Sequence, residues 1–163
     1  MDVSLKIREI KSSDDLMLAK IVRASLTEFN VAKPGTVFFD DTTDHLFEVF
    51  KKERSKYFVA SINDVVVGGS GIYPTEGLDN ETCELVKMYL SPVARGKGVG
   101  KMLMYKCIEE AKLQGFKRIY IETMHELIMA IPMYEKFGFT FLDKAMGNSG
   151  HTGCDVWMQK ELL

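Results

Sequence analysis

A mixed α/β fold is what this sequence predicts, on three observations. Segments with the two-residue alternation of strands and segments with the spacing of amphipathic helices follow one another in the order β-α-α-β-β-β-α-β-α-β-β. No repeat, low-complexity tract or Pro/Gly/Ser linker interrupts them. The length of 163 residues and the hydrophobic content of 46% suit one core, so residues 1–163 are expected to form one domain.

Val3 to Ile10 alternates Val3, Leu5 and Ile7 with Ser4, Lys6 and Arg8, as a half-buried strand does. Ser12 to Asp15 supplies capping residues for a helix carrying Leu16, Leu18, Ala19, Val22, Leu26 and Phe29, which ends before the turn-prone Lys33-Pro34-Gly35. A shorter helix is expected over about Thr43 to Lys52. Tyr57 to Ser61 and Val65 to Tyr73 read as a hairpin closed at Asn63-Asp64, with a bulge suggested by Gly68 and Gly69. Thr82 to Leu90 is the next strand. Gly100, Leu103, Met104, Cys107, Ile108 and Ala111 then share one helical face, and Gln114-Gly115 ends that helix. Arg118 to Thr123 is a strand, Leu127 to Phe137 a helix stopped by Gly138, and Phe139 to Leu142 and Asp155 to Met158 are closing strands.

The charge balance excludes some roles. A net charge of −2, with lysines scattered among acids, offers no basic patch for nucleic acid. No apolar run approaches the roughly twenty residues that span a bilayer, and MDVSLKIREI is charged where a signal peptide is apolar. A cytoplasmic protein with no membrane partner is therefore expected, as a monomer or a homodimer. Cys83, Cys107 and Cys154 are far apart, so they are read as reduced thiols, with neither a disulfide framework nor a metal site.

The most informative segment runs from Leu90 to Lys101, between a strand and a helix. Gly96, Gly98 and Gly100 alternate there, which lets backbone N–H groups converge on one small volume. The helix that follows adds its unfilled N–H groups and the positive end of its dipole. With Arg95, Lys97 and Lys101 the turn suits a polyanion such as a pyrophosphate. The nucleotide-hydrolase loop G-x-x-x-x-G-K-[ST] is absent, and the dinucleotide fingerprint G-x-G-x-x-G would need glycine in place of Lys101.

What remains is R-x-x-G-x-G, Arg95 to Gly100, and here the chain resembles the GCN5-related N-acetyltransferase (GNAT) superfamily. The preceding Glu84-Leu85-Val86-Lys87-Met88-Tyr89-Leu90 is similar to that family's fourth strand. The downstream Ala130-Ile131-Pro132-Met133-Tyr134-Glu135-Lys136-Phe137-Gly138-Phe139 is similar to its A-I-x-L-Y-E-K-x-G-F segment. The resemblance implies a mostly antiparallel, twisted sheet with flanking helices, the acyl-CoA N-acyltransferase fold. It also implies transfer of an acetyl group from acetyl-CoA to a primary amine of a small molecule or peptide. A coenzyme A-binding sensor without turnover is the alternative.

Residue by residue, the resemblance assigns the cofactor pyrophosphate to Arg95, Gly96, Lys97, Gly98, Val99, Gly100 and Lys101. It gives pantetheine pairing to the backbone of Met88, Tyr89 and Leu90. Tyr134 corresponds to the family tyrosine near the cofactor sulfur, a general acid whose phenol stays protonated at neutral pH. Glu84 falls where the histone-modifying branch carries its catalytic glutamate, and where other relatives carry a glutamate that only orients groups. Glu122, near the end of the next strand, is a weaker rival base, and His151 is a further candidate, weighed against a structural role in its glycine-rich loop. Phe38 and Phe39, beside Asp40 and Asp41, could supply aromatic walls and negative charge for a cationic amine, or anchor and cap a helix. His45 and His125 read as surface residues. Two departures stand out. Leu127 occupies a position where the family often has a cofactor-contacting Asn, and Pro132 removes a hydrogen bond to the Ile128 carbonyl, which predicts a loose or kinked first turn.

Overall fold

The computed structural model describes residues 2–163. Seven strands form one sheet in the order β1-β2-β3-β4-β5-β7-β6: β1 Leu5–Glu9, β2 Lys56–Ile62, β3 Val65–Tyr73, β4 Thr82–Leu90, β5 Arg118–Thr123, β6 Thr140–Leu142 and β7 Val156–Glu161. All neighbours are antiparallel except β4 and β5. The helices are α1 Asp15–Glu28, α2 Leu46–Val49, α3 Val99–Leu113 and α4 Ala130–Lys136. No helix among the described residues is long and apolar enough to cross a membrane.

Alternation along β2 divides the core between two faces. Phe58 and Ala60 pack with Leu103, Met104 and Cys107 of α3, whereas Tyr57 and Val59 pack with Leu18 of α1 and Leu46 of α2. α3 thus buries an apolar stripe against one side of the sheet, and α1 and α2 pack on the other. α1 begins after a 3₁₀ turn, Ser12–Asp14, whose Asp14 carboxylate accepts from the Lys11 N–H at 2.7 Å and from the Arg8 guanidinium at 2.8 and 2.9 Å.

Several expectations are corrected. The helix expected over residues 43–52 is only Leu46–Val49, preceded by 3₁₀ turns at Val37–Phe39 and Asp41–Asp44. The buried Thr43 donates its hydroxyl to the Val37 carbonyl at 2.7 Å, and that side-chain bond favours a turn over a helix. The helix expected from Leu127 begins at Ala130. Pro132 therefore sits in its first turn, where its missing N–H would have no helical partner, and no kink is needed.

The hairpin turn at Asn63-Asp64 is as expected, both residues having left-handed φ of 50° and 65°. The bulge expected at Gly68 and Gly69 falls one residue earlier, and a second one was not expected. One is on β3 at Val67, opposite the step from Ala60 to Ser61. The other is on β4, where the chain goes from Tyr89 to Val86 while β3 goes only from Gly69 to Gly71. Lys87 sits there with φ 52°, an uncommon conformation for lysine. Gly69 serves a different purpose. A Cβ on it would lie 2.5 Å from Tyr57 Cε1 and 2.7 Å from the Phe58 carbonyl, so its absence makes room for the Tyr57 ring. The Tyr57 hydroxyl in turn donates to the Lys87 carbonyl at 2.8 Å and holds the β4 bulge. Gly69→Ala is expected to cost about 1–3 kcal/mol of stability in urea unfolding, whereas an unchanged midpoint would mean that the ring shifts freely.

Candidate active site

β4 and β5 pair only from Thr82 to Glu84 against Arg118 to Tyr120, and beyond that β4 continues to Leu90 without β5 beside it. The separation opens a cavity of about 500 Å³. Its lining includes Glu84, Met88, Tyr89, Leu90, Arg95, Gly96, Gly98, Val99, Gly100, Lys101, Glu122, Tyr134 and His151. Residues spread over most of the sequence are thereby brought to one place. Lys97, Phe38 and Phe39 do not line it.

At the turn, Gly96 and Gly98 have φ of 72° and 76°, which glycine adopts at little cost. No side chain caps α3, and its first backbone bond is Met102 N–H to the Gly98 carbonyl at 3.0 Å, so the N–H groups of its first turn remain available. Arg95 is placed differently from a freely offered phosphate ligand. Its guanidinium pairs with both oxygens of Glu28 at 2.8 and 2.7 Å and donates to the Leu90 carbonyl at 3.2 Å. It therefore ties the turn to the end of α1. The Leu90 carbonyl is also within 3.5 Å of the Ser25 hydroxyl, so of the backbone groups expected to meet an added strand, that one is already engaged.

Tyr134 comes from α4 and is 5% exposed, packed against Phe139 at 5.9 Å between ring centroids. Burial pushes its phenol well above the usual range, so it is protonated at neutral pH. Leu127 lines the same cavity and packs with Met124, Val37 and Leu26. It supplies an apolar contact where the sequence pattern suggested a polar one.

Opposite lies a cluster of ionisable groups. Glu84 is 3% exposed, and its Oε1 accepts from the Thr75 hydroxyl at 2.8 Å. Burial, then the nearby Glu122 charge, push its carboxyl up to about 7. Glu122 is also shifted upward by burial, and its Oε1 is buried with no hydrogen-bond partner among the described residues. His151 Nε2 lies 3.2 Å from Asp40 Oδ2. That hydrogen bond, ahead of smaller contributions, holds the Asp40 carboxyl well below the usual range.

The loop over residues 143–155, between β6 and β7, reaches this cluster because it is seated on two other segments. The Gly153 N–H donates to the Gly35 carbonyl at 2.8 Å, and the Asn148 N–H donates to the Glu76 carbonyl at 2.7 Å. Asp40, rather than its neighbours Phe38 and Phe39, is the residue of the 38–41 segment that arrives at the site. Phe38 packs against the α1 cluster, and Phe39 is 61% exposed, so the expected aromatic walls are not formed by these two. Lys87 was missed by the sequence reading. Its signal would have been a lysine within the otherwise apolar run from Leu85 to Leu90. His45 and His125 are exposed, as expected, and His125 is engaged by the Asp155 carboxylate.

This sheet, with one splayed strand pair and a glycine turn leading into α3, has clear counterparts among known proteins. The model of the acetyltransferase (GNAT) family matches residues 19–139. The chain is 38% identical over 157 residues to the uncharacterised N-acetyltransferase YjgM of Escherichia coli (strain K12), spanning 96% of this chain and 94% of that one. The fold is similar to that of a GNAT-family acetyltransferase from Staphylococcus aureus, with a TM-score of 0.84 at 23% identity over 98% of this chain and all of that one. It is also similar to yncA from Salmonella typhimurium, solved with its cofactor acetyl-CoA, with a TM-score of 0.75 at 20% identity over 97% and 94% of the two chains. The protein is an N-acetyltransferase by class, and it belongs to the GNAT family.

Proposed function

We propose that this chain transfers the acetyl group of acetyl-CoA to the amine of a small molecule or peptide by direct attack, with Tyr134 as general acid and Glu84 as the base. The observation that carries the reading is the splay of β4 from β5, which sets Tyr134 and Glu84 on the wall of one cavity that also reaches the Gly96–Gly98 turn. The acetyl-CoA bound by the Salmonella protein of like fold supports the donor.

The residues present fit such a donor. Left-handed glycines and the unfilled N–H groups of α3 offer donors to a pyrophosphate, with Lys101 nearby. Met88 and Tyr89 lie where β4 has no β5 partner, open to an extended arm. The donor supplies a thioester. Glu84 takes a proton from the substrate ammonium, the freed amine nitrogen bonds to the carbonyl carbon as the C–S bond breaks, Tyr134 gives its hydroxyl proton to the departing sulfur, and the second proton that the nitrogen loses restores the Tyr134 hydroxyl. A buried carboxyl with its pKa near 7 is ionised for much of the neutral range, which a base requires.

The test is a thiol-release screen with acetyl-CoA over amines, amino acids, polyamines and peptides, run beside calorimetric titration with acetyl-CoA. Turnover with at least one acceptor is expected. Binding without turnover would favour a coenzyme A sensor, and absence of binding would remove the donor assignment.

The turn can be tested separately. Gly98→Val is expected to weaken acetyl-CoA binding about tenfold or more, and Lys97→Ala to change it less than threefold. A Cβ on Gly98 would meet nothing within 4 Å, so the loss comes from the left-handed backbone and from obstruction of the ligand's approach. Lys97, outside the cavity, contributes only a screened charge. Equal losses in calorimetry would count against backbone recognition.

A further inference from the structure

A second cavity of about 550 Å³ lies against the first and shares Val86 and Lys87 with it. Its apolar wall includes Val49, Phe50, Tyr73 and Pro74, with Phe50 and Tyr73 in edge contact at 5.7 Å between centroids. Thr75, the partner of Glu84, also lines it. The reaction centre and this chamber therefore meet at β4.

Lys87 is the unusual group at that junction. Its side chain is 8% exposed, yet its Nζ makes no hydrogen bond among the described residues. Asp40 Oδ2, the nearest carboxylate oxygen, is 3.7 Å away and already meets His151 at 3.2 Å. The other oxygen of Asp40 accepts from the N–H and the hydroxyl of Thr42 at 3.1 and 2.8 Å. Asp40 thus divides its charge among His151, Thr42 and Lys87, and the Lys87 side chain borders both cavities in a loose ion pair that leaves donors of its Nζ free for a closer anion. A lysine held at that distance from its counterion can take a second anion, and a carboxylate can accept two of its hydrogen bonds. The fold holds the lysine there at a cost, since φ of 52° is unfavourable for it and Tyr57 must bind its carbonyl.

We propose that the acceptor is an α-amino acid with an apolar side chain, its carboxylate bound by Lys87, its amine presented to Glu84 and its side chain placed against Phe50 and Tyr73. The proposal rests on the acetyl-transfer reading above. Glu84 and Lys87 lie on the same short stretch of β4, so they suit the adjacent ammonium and carboxylate of an α-amino acid.

The experiment compares kcat/KM by thiol release for phenylalanine, phenylalaninamide and phenethylamine, and for the matching leucine set, in wild type, Lys87→Met and Lys87→Arg. Wild type is expected to prefer the free carboxylate about tenfold or more over both analogues. That ratio should fall to about twofold or less in Lys87→Met and be largely retained in Lys87→Arg. A wild-type ratio near one, a preference for the amide or the decarboxylated amine, or an unchanged ratio in Lys87→Met overturns the proposal and leaves Lys87 as an inner counterion of the acids. The wild-type comparison decides alone if Lys87→Met does not fold. Should acetyl-CoA bind without turnover, calorimetry with N-acetylphenylalanine and N-acetylphenethylamine in the presence of coenzyme A reads the same preference. Equal affinities there overturn the carboxylate site independently of the fate of the transferase reading.

Discussion

Tyr134→Phe is expected to lower kcat by about a hundredfold or more while leaving acetyl-CoA affinity within about twofold. The substitution removes one hydroxyl and keeps the ring, so the contact with Phe139 and the packing of α4 on the core persist. What is lost is a proton donor at the wall of the cavity, where burial keeps the phenol protonated. Single-turnover thiol release separates this step from product departure. A variant with an unchanged chemical step would return Tyr134 to a packing role.

Glu84→Gln is expected to lower kcat/KM by about a hundredfold near pH 8, with a smaller defect on either side. Below about pH 7 the wild-type carboxyl is itself protonated, because burial and Glu122 raise it to about 7, so wild type loses activity toward the level of the variant. Above the pKa of the substrate amine, the free base needs no help. The defect should therefore be largest between those two limits, and the limb of the wild-type profile near pH 7 should vanish in the variant. His151→Gln is the control, since a histidine base would take that limb with it. Stability should move in a linked way. A carboxyl raised on folding favours the unfolded chain as pH rises from about 4.5 to about 7, because the unfolded form releases its proton first. Removing it should make Glu84→Gln gain stability relative to wild type across that window, by up to a few kcal/mol, and gain none below it. Equal melting-point differences at pH 4 and pH 8 would refute the shifted carboxyl.

The parts legible in the sequence are those governed by local rules. Two-residue and helical periodicities placed β1 to β5, α1 and α3 within a few residues, and Asn63-Asp64 announced its own turn. The Arg95–Gly100 spacing marked the strand-to-helix turn because alternate glycines have few other uses there. What escaped was decided by distant neighbours. Lys87 looks like an ordinary strand lysine until Tyr57 fixes its carbonyl and the bulge turns it inward. Phe38 and Phe39 looked like candidate pocket walls because they are aromatic, but the 3₁₀ turn sends Phe38 to the α1 cluster and leaves Asp40 to meet His151. Glu84 was legible as a residue, whereas its raised pKa depends on how deeply β4 is covered. Arg95 was legible as a charge, yet its pairing with Glu28 needs the end of α1 beside it.

The seating of the 143–155 loop on Gly35 and Glu76 has a consequence for how the working enzyme arises during synthesis. The turn at Arg95–Gly100, β5 and Tyr134 leave the ribosome before this loop, and β7, which inserts between β5 and β6, comes later still. A nascent chain emerges from its N-terminal end, so the groups assigned to the donor are made while the acceptor side still lacks Asn148, Ser149 and His151. Chemical competence is thus deferred to the last stretch of translation, and a chain released early lacks the enclosure in which an amine could be acetylated.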